Sequence, residues 1–282
     1  LDKKIRNTLV ELYHMKKIAF FDIDGTMVNI PDGMLHPSEE TKRVLKAFQE
    51  QGNYIVVATA RTQIPDSVRD IDFDGYICSD GHYIEFHNEV LINNIFSDEE
   101  IKMQLQIYSE HNGHCALGGY LGNWVSSHTD PYLKMHNKIY SGTDDLTDIP
   151  LVSESEGEIQ ANSIAAVFGN AKDMFAAKDK LPKNWAINAY GDDIDIRMDV
   201  HLEGFSKGTA CEYLYKHLKI HKSNTYAYGD GANDIEMLQL VGHGIAMGNA
   251  SDKVKESADY ITDTVNNEGI AKAFKKYLKS RN

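Results

Sequence analysis

The sequence predicts an α/β protein in which an open parallel sheet is interrupted by an inserted α+β domain. Three observations support this prediction. Short apolar runs alternate with helix-like segments near both ends of the 282-residue chain, as in repeated strand–helix–strand units. The first run, residues 18–21, is apolar without interruption, which is typical of a strand covered on both faces. The middle of the chain lacks this alternation, so we expect one sheet built from the two ends.

The elements of the two ends can be assigned in order. A helix is predicted over residues 38–51, because Ser38 is a suitable N-cap, acidic residues follow it and Gly52 can end the helix. The other elements are assigned from similar patterns of apolar residues and turn formers. The predicted strands are residues 54–58, 75–78, 225–228 and 244–247, and the predicted helices are residues 207–218, 234–241 and 269–278.

The middle of the chain has the pattern of a separate α+β unit. Residues 101–108 have a helical pattern, whereas residues 163–168 and 185–190 resemble strands. The acidic, turn-rich residues 141–158 are interpreted as a solvated loop. Arg197 lies in an alternating segment and is interpreted as a solvent-facing strand residue. The predicted domains are a core of residues 15–82 and 193–282 and an inserted cap of residues 83–192.

The first residues and the cysteines carry little chemistry. The chain begins with Leu1, and Met15 stands directly before the first strand, so residues 1–14 are expected to be an upstream extension or a cloning remnant. No apolar run approaches the roughly 18 residues that span a bilayer. The three cysteines are widely spaced, without a metal-binding or disulfide pattern. This usage favours the reducing cytoplasm as the location.

The charge of the chain limits its partners. A formal net charge of −13 at pH 7 creates a field that repels nucleic acid and anionic membranes, so neither is expected as a partner. A small anionic ligand is still compatible, because a local positive site or a bound divalent metal can attract it. The sequence does not indicate an oligomeric state.

Polar side chains follow the predicted strands at the edge where open parallel sheets bind ligands. Two carboxylates about 4 Å apart repel by roughly 4 kcal/mol at an effective dielectric near 20, so a cluster of acids at this edge needs a cation. Oxygen ligands favour Mg²⁺. The residues expected to converge are Asp22, Asp24, Thr59, Arg61, Lys207, Asp230, Asn233 and Asp234.

These residue types suit an attack on a phosphate monoester. Lys207 and the Thr59 hydroxyl can neutralise and orient phosphoryl oxygens. Asp22 can attack phosphorus in line and divide one slow step into two. Asp24 can protonate the leaving oxygen and later take a proton from water. A neighbouring carboxylate would raise the pKa of Asp24 and keep it protonated for the first step.

In these residues the chain resembles the haloacid dehalogenase superfamily, and within it the Cof-like sugar-phosphate phosphatases. The segment Asp22-Ile23-Asp24-Gly25-Thr26 is similar to the first motif of the family, Thr59 to the second and Lys207 to the third. The fourth motif is matched by Gly229-Asp230-Gly231-Ala232-Asn233-Asp234. The resemblance implies a Rossmann-like parallel-sheet core with a large α+β cap inserted between the second and third motifs.

The resemblance also implies roles. Asp22 would be the nucleophile, Asp24 the acid and base, and Arg61 would lie near the substrate. Mg²⁺ would be held by Asp22, Asp230 and the backbone carbonyl of Asp24, with Asp234 acting directly or through water. Asn233, Thr59 and Lys207 would hold the phosphoryl group, and the cap would close over the site and select the leaving group.

Two positions differ from the pattern of the family. Ala60 stands where glycine is usual, and Asp80-Gly81-His82 replaces the usual Asn-Gly-Ala. The acid and the histidine could change which leaving group is accepted. His82 itself is interpreted as an ordinary surface histidine, with a substrate contact as the alternative.

The expected function is hydrolysis of a small cytosolic phosphomonoester such as a sugar phosphate. Two alternatives remain open: a phosphomutase or phosphotransferase that uses the same aspartyl-phosphate, and a non-catalytic sensor of phosphorylated metabolites. A dehalogenase is disfavoured because it needs neither Asp24 nor a set of metal-binding carboxylates. A dinucleotide-binding enzyme is disfavoured because no Gly-x-Gly-x-x-Gly follows the first strand.

Overall fold

The computed structural model describes residues 16–191 and 196–278. The predicted extension, residues 1–14, lies outside the described residues. The chain divides into two compact units, one formed by residues up to Leu91 and from Phe205 onward, the other by residues Ile92–Gly204. The predicted α/β core with an inserted α+β domain is therefore confirmed.

The strands and helices of the described chain are numbered in chain order. The strands are β1 Ile18–Phe21, β2 Tyr54–Ala58, β3 Gly75–Cys78, β4 Tyr83–Phe86, β5 Glu89–Asn93, β6 His114–Gly119, β7 Gly122–Val125, β8 Ser163–Val167, β9 Ala186–Gly191, β10 Ile196–His201, β11 Thr225–Gly229, β12 His243–Ala246 and β13 Tyr260–Ile261. The α-helices are α1 Glu39–Glu50, α2 Asp98–Glu110, α3 Pro131–Ser141, α4 Ala171–Lys178, α5 Lys207–His217, α6 Ile235–Leu240, α7 Asp252–Glu256 and α8 Gly269–Ala273. Residues Phe274–Leu278 continue α8 as a π-helical turn.

The first sheet has eight strands in the order β13-β12-β11-β1-β2-β3-β4-β5. β1 lies between β11 and β2 and pairs in parallel with both, so that Ile18 is in register with Thr225 on one side and Tyr54 on the other. Every residue of β1 is fully buried. This explains the uninterrupted apolar run, because the strand has neither an edge nor an exposed face.

Both predicted domain boundaries differ from the observed ones. β4 pairs antiparallel with β3, with Gly75 opposite Phe86, and β5 continues the same sheet, so the core extends to residue 91 instead of 82. β10 pairs antiparallel with β8 and β9 in the second sheet, so the inserted unit extends to residue 204 instead of 192. Residue 193, where the second part of the core was predicted to start, lies outside the described residues.

The second unit contains a five-stranded antiparallel sheet in the order β7-β6-β8-β10-β9. One face carries Leu117, Ile164 and Met198 and forms a buried core with residues of α2 and α4. On the opposite face, Val125 and Val167 form a smaller cluster with α3. The unit therefore buries an apolar core of its own.

Two interpretations of the middle segment need correction. Arg197 is buried, not solvent-facing: its Nη1 donates to Oδ2 of Asp199 at 2.8 Å, and its guanidinium lies 4.1 Å from the ring centre of Tyr190 and 5.0 Å from that of Tyr140. The segment 141–158 is largely irregular, as predicted, but Leu146 is buried in the smaller cluster. Among the described residues, the helices are all too short or too polar to cross a membrane.

Candidate active site

The carboxyl ends of four core strands meet at one edge of the first sheet. Asp22 follows β1, Thr59 follows β2, Asp80 lies two residues after β3, and Asp230 follows β11. These strands are neighbours with parallel pairing, which places their carboxyl ends side by side. The predicted convergence of chemical groups is therefore present in the fold.

A buried lysine lies at the centre of the site. Lys207 is the first residue of α5, and its Nζ lies 2.7 Å from Oδ1 of Asp22 and 2.6 Å from Oδ1 of Asp234. Burial lowers the pKa of Lys207, but the charges of Asp22, Asp234 and Asp80 outweigh it and raise the pKa above its usual value. The two carboxylates therefore favour the charged form of Lys207.

Both carboxylate oxygens of Asp234 accept hydrogen bonds. Oδ1 accepts the hydrogen bond of Lys207, and Oδ2 accepts from the backbone N–H groups of Asp230 and Gly231, each at 2.9 Å. Gly229 passes so close that an added Cβ would lie 2.5 Å from Cβ of Asp234. Asp234 thus shapes the loop after β11 and positions Lys207.

Asp230 is held from the other side of the site. Its Oδ1 accepts from the Thr26 hydroxyl at 2.8 Å, and its Oδ2 lies 3.4 Å from Nδ2 of Asn249. Gly25 has φ +85°, and a Cβ there would lie 2.0 Å from Oδ2 of Asp230. Burial raises the pKa of Asp230 to about 6, with the charge of Asp234 adding to the effect and the Thr26 hydrogen bond opposing it.

The acidic cluster matches the requirements of a divalent cation. Asp22, Asp230 and Asp234 each offer a carboxylate oxygen, and these atoms all lie within 4.8 Å of one another. Burial raises the pKa of Asp22 well above its usual value, and although Lys207 opposes this, the charges of Asp234 and Asp230 add to it. Three carboxylates therefore surround the single ammonium group of Lys207, and an all-oxygen donor set is the one that Mg²⁺ prefers.

Asp24 forms an ion pair that was not predicted from the sequence. Nε and Nη2 of Arg61 each donate to one oxygen of Asp24 at 2.7 Å, which is a two-bond ion pair at a half-exposed position. The neighbouring carboxylate expected from the sequence is also present, since the charge of Asp24 is among those that raise the pKa of Asp230. The pairing with Arg61 joins the loops after β1 and β2.

The remaining predicted residues line the same edge. Thr59 is buried, and its Oγ1 accepts from the backbone N–H of Arg61 at 3.1 Å. Asn233 is exposed, and its Nδ2 donates to Oδ1 of Asp80 at 3.2 Å. His82 is only 1% exposed, and its ring lies edge-on to that of Phe205. The interpretation of His82 as a surface histidine was therefore wrong.

Asn249 was not among the predicted site residues. Its Nδ2 donates to the carbonyl of Gly25 at 2.7 Å, and its Oδ1 accepts from the N–H of Val265 at 3.1 Å. It follows β12, the next strand beyond β11. Its position after a core strand is the signal that could have identified it as a support for the loop after β1.

A family model for haloacid dehalogenase-like hydrolases matches residues 19–274. The chain belongs to this family. The match includes every predicted residue of the site.

Curated relatives of this haloacid dehalogenase-like hydrolase include two proteins of Bacillus subtilis (strain 168). The putative phosphatase YkrA is 28% identical over 274 residues, covering 92% of this chain and 96% of YkrA. The 5-amino-6-(5-phospho-D-ribitylamino)uracil phosphatase YcsE is 28% identical over 273 residues, covering 93% of this chain and 96% of YcsE. Both likenesses extend over essentially the whole of each chain.

Solved structures of the same superfamily have the same fold. The phosphatase BT1666 of Bacteroides thetaiotaomicron aligns with a TM-score of 0.78 at 26% identity, covering 94% of this chain and 96% of BT1666. The subclass IIB sugar phosphatase BT4131 aligns with a TM-score of 0.75 at 27% identity, covering 93% of this chain and 99% of BT4131. Together with the family match, these likenesses confirm the predicted class, a Cof-like phosphatase of the haloacid dehalogenase type.

Proposed function

We propose that this phosphatase hydrolyses a small phosphorylated metabolite in the cytoplasm through a phosphorylated Asp22, with Mg²⁺ as its cofactor. The observation that supports this most strongly is the buried Lys207 that joins Asp22 and Asp234 next to Asp230. A buried cation surrounded by acids is an expensive arrangement. It is suited to a site where an anionic phosphoryl group and a divalent metal bind together.

The residues of this chain that would hold Mg²⁺ are the carboxylates of Asp22 and Asp230 and the backbone carbonyl of Asp24. Asp234 would act directly or through water. When bound, Mg²⁺ supplies positive charge that neutralises the phosphoryl oxygens. Thr26 and Asn249 support this set through their hydrogen bonds to Asp230 and to the loop after β1.

In the proposed reaction, Lys207, Thr59 and Asn233 orient the phosphoryl group. A carboxylate oxygen of Asp22 attacks phosphorus, the bond from phosphorus to the ester oxygen breaks, and Asp24 donates a proton to the leaving oxygen. Water then attacks the phosphorus of the acyl phosphate while Asp24 takes its proton. Inorganic phosphate leaves and the Asp22 carboxylate is restored.

The ion pair between Arg61 and Asp24 bears on the proposed reaction. Asp24 is held by two hydrogen bonds from Arg61, whereas an acid catalyst has to reach the leaving oxygen. We infer that Arg61 binds the substrate and releases Asp24 as it does so.

The names of the relatives support a phosphorylated sugar or sugar alcohol as the substrate class, since YcsE acts on a phosphoribityl compound and BT4131 on a sugar phosphate.

The test is phosphate release from a panel of phosphorylated sugars and sugar alcohols, with Mg²⁺ and with EDTA. We expect turnover with Mg²⁺ and its loss in EDTA. Asp22→Asn should lower turnover by roughly 10³-fold or more, because it removes the nucleophile. Asp32→Asn is the matched control, since Asp32 is an exposed acid on the same loop that bonds to Asn29.

Two results would contradict the proposal. Undiminished turnover in EDTA would exclude a requirement for Mg²⁺. Undiminished turnover of Asp22→Asn would exclude Asp22 as the nucleophile. Phosphate transfer that requires an added sugar acceptor would indicate a phosphotransferase instead. An acid-quenched Asp24→Asn reaction, digested and examined by mass spectrometry, should contain a phosphorylated peptide that includes Asp22.

A further inference from the structure

The short segment after β3 has a strained backbone that the proposed reaction does not explain. Ser79 has φ +51° and Asp80 has φ +49°, both in the left-handed region that residues with a Cβ rarely adopt. Such strain persists only where the surroundings impose it. The N–H of Ser79 donates to the carbonyl of Arg61 at 2.9 Å, and the N–H of Asp80 donates to the carbonyl of Thr59 at 3.1 Å.

The other end of the segment packs against the start of α5. Gly81 has φ +103°, and a Cβ there would lie 2.6 Å from the carbonyl oxygen of Ser206 and 2.8 Å from Cβ of Ala210. His82 is buried, and its ring centre lies 6.3 Å from that of Phe205. The segment is therefore held between the loop that carries Thr59 and the helix that begins with Lys207.

The consequence of this placement is a contact across the site. Oδ1 of Asp80 accepts a hydrogen bond from Nδ2 of Asn233 at 3.2 Å. Asn233 is exposed, so this bond restricts a side chain that could otherwise rotate in water. Asp80 also contributes, after Asp22 and Asp234, to the charges that raise the pKa of Lys207 against the effect of its burial.

The chemistry of a carboxylate determines how Asn233 is oriented. An ionised carboxylate only accepts hydrogen bonds, so Asn233 must direct its NH₂ group toward Asp80, which leaves the second N–H for another acceptor. An asparagine at position 80 could donate as well as accept, and would allow the opposite orientation. A carboxylate next to a phosphoryl site also repels the phosphoryl group. We therefore expect Asp80 to have a role that offsets this repulsion.

We propose that Asp80 is a positioning residue that holds the Asn233 carboxamide with one N–H available to a phosphoryl oxygen. This rests on the proposed function, in which Asn233 binds that group. The role differs from selection of the leaving group, which the sequence suggested for this segment.

The test measures binding of inorganic phosphate by titration calorimetry in the presence of Mg²⁺. We expect Asp80→Gly to weaken phosphate binding about tenfold, which corresponds to the loss of one oriented hydrogen bond. Glycine is favoured at φ +49°, so this variant should fold, and its thermal midpoint checks that it does. Asp80→Asn retains an acceptor and should stay within about threefold of wild type. Asp66→Asn, which removes an exposed acid paired with Arg69, should bind phosphate as wild type does.

A double-mutant cycle separates positioning from other roles. In the background of Asn233→Ala, Asp80→Gly should change phosphate affinity less than about twofold, because no carboxamide remains to be held. Tighter binding by both Asp80 variants would reveal a purely repulsive charge and would overturn the proposal. A tenfold loss that persists without Asn233 would also overturn it. Wild-type protein that binds phosphate but hydrolyses no phosphomonoester would contradict the proposed function, while the affinities would still decide the role of Asp80.

Discussion

At the scale of single residues, the site depends on the balance of charge among buried groups. Lys207 lies between two buried carboxylates, and removing its cation would leave Asp22 and Asp234 facing each other away from water. Breaking a buried ion pair from one side typically costs several kcal/mol, whereas an exposed pair contributes little. The same helix contains an exposed pair, formed by Lys216 and Glu212 at 2.8 Å.

We therefore expect Lys207→Met to lower the free energy of unfolding of the metal-free protein by about 3 kcal/mol and to abolish turnover. Lys216→Met should lower the free energy of unfolding by less than about 0.5 kcal/mol. Urea denaturation in EDTA measures both. Equal losses for the two variants would mean that the buried lysine contributes no more to stability than a surface one.

Glycine at position 25 is required by two separate effects. Gly25 and Gly33 both have positive φ, at +85° and +80°, so alanine at either position is strained by roughly 1–2 kcal/mol. Only at Gly25, of these two, would a new Cβ collide with Asp230, because nothing lies within 4 Å of the corresponding point at Gly33.

The comparison of the two alanine variants isolates that collision. Gly33→Ala should keep the rise in thermal midpoint that Mg²⁺ produces, whereas Gly25→Ala should lose most of it, because the Asp230 carboxylate must move. Thermal unfolding with Mg²⁺ and with EDTA measures the effect. A full Mg²⁺ response in Gly25→Ala would argue against Asp230 as a ligand.

At the scale of elements, the first turn of α5 places Lys207 in the candidate site. Ser206 caps this helix: its Oγ accepts from the N–H of Thr209 at 3.0 Å, and Oγ1 of Thr209 accepts from the N–H of Ser206 at 2.8 Å. The N-terminus of α2 has a comparable reciprocal cap, formed by Ser97 and Glu100. The helix α2 carries none of the candidate site residues.

Loss of either cap should cost about 1 kcal/mol of stability. We expect Ser206→Ala to lower turnover per folded molecule as well, because the start of α5 sets the position of Lys207. Ser97→Ala should leave turnover unchanged. Chemical denaturation and initial rates, corrected for the folded fraction, distinguish the two effects. Equal turnover in both variants would show that the cap of α5 has no part in placing the lysine.

At the scale of the whole molecule, the chain forms two units, each with a sheet of its own. The second unit buries an apolar core that includes Phe168 and Met198. The proposed metal ligands all belong to the first unit. Ligand binding stabilises only the structure that it binds.

Scanning calorimetry should therefore resolve two transitions, of which Mg²⁺ raises one. At a Mg²⁺ concentration about a hundredfold above Kd, the responsive transition should rise by about 5 °C or more. Asp230→Asn should remove most of this shift without moving the other transition. An equal shift of both transitions in wild type would contradict the assignment of the metal to the first unit alone.

The sequence by itself determined the fold class and indicated most of the residues that converge in the candidate site. A continuous apolar run signals a strand buried on both faces, as residues 18–21 are. Parallel pairing then places the carboxyl ends of neighbouring strands at one edge, so that motif residues far apart in the chain converge. Helix starts such as that at Ser38 were also predictable, because N-capping depends on residues within one turn.

Only the tertiary structure decided which partners these residues have. The observed domain boundaries differ from the predicted ones because β4 and β10 pair with strands that no local sequence pattern specifies as their partners. Three further features depend on packing between segments that are distant in the chain. They are the burial of His82, the ion pair between Arg61 and Asp24, and the contact between Asp80 and Asn233. Periodicity reports which face of an element is apolar, whereas the choice of partner is set by how the elements pack in three dimensions.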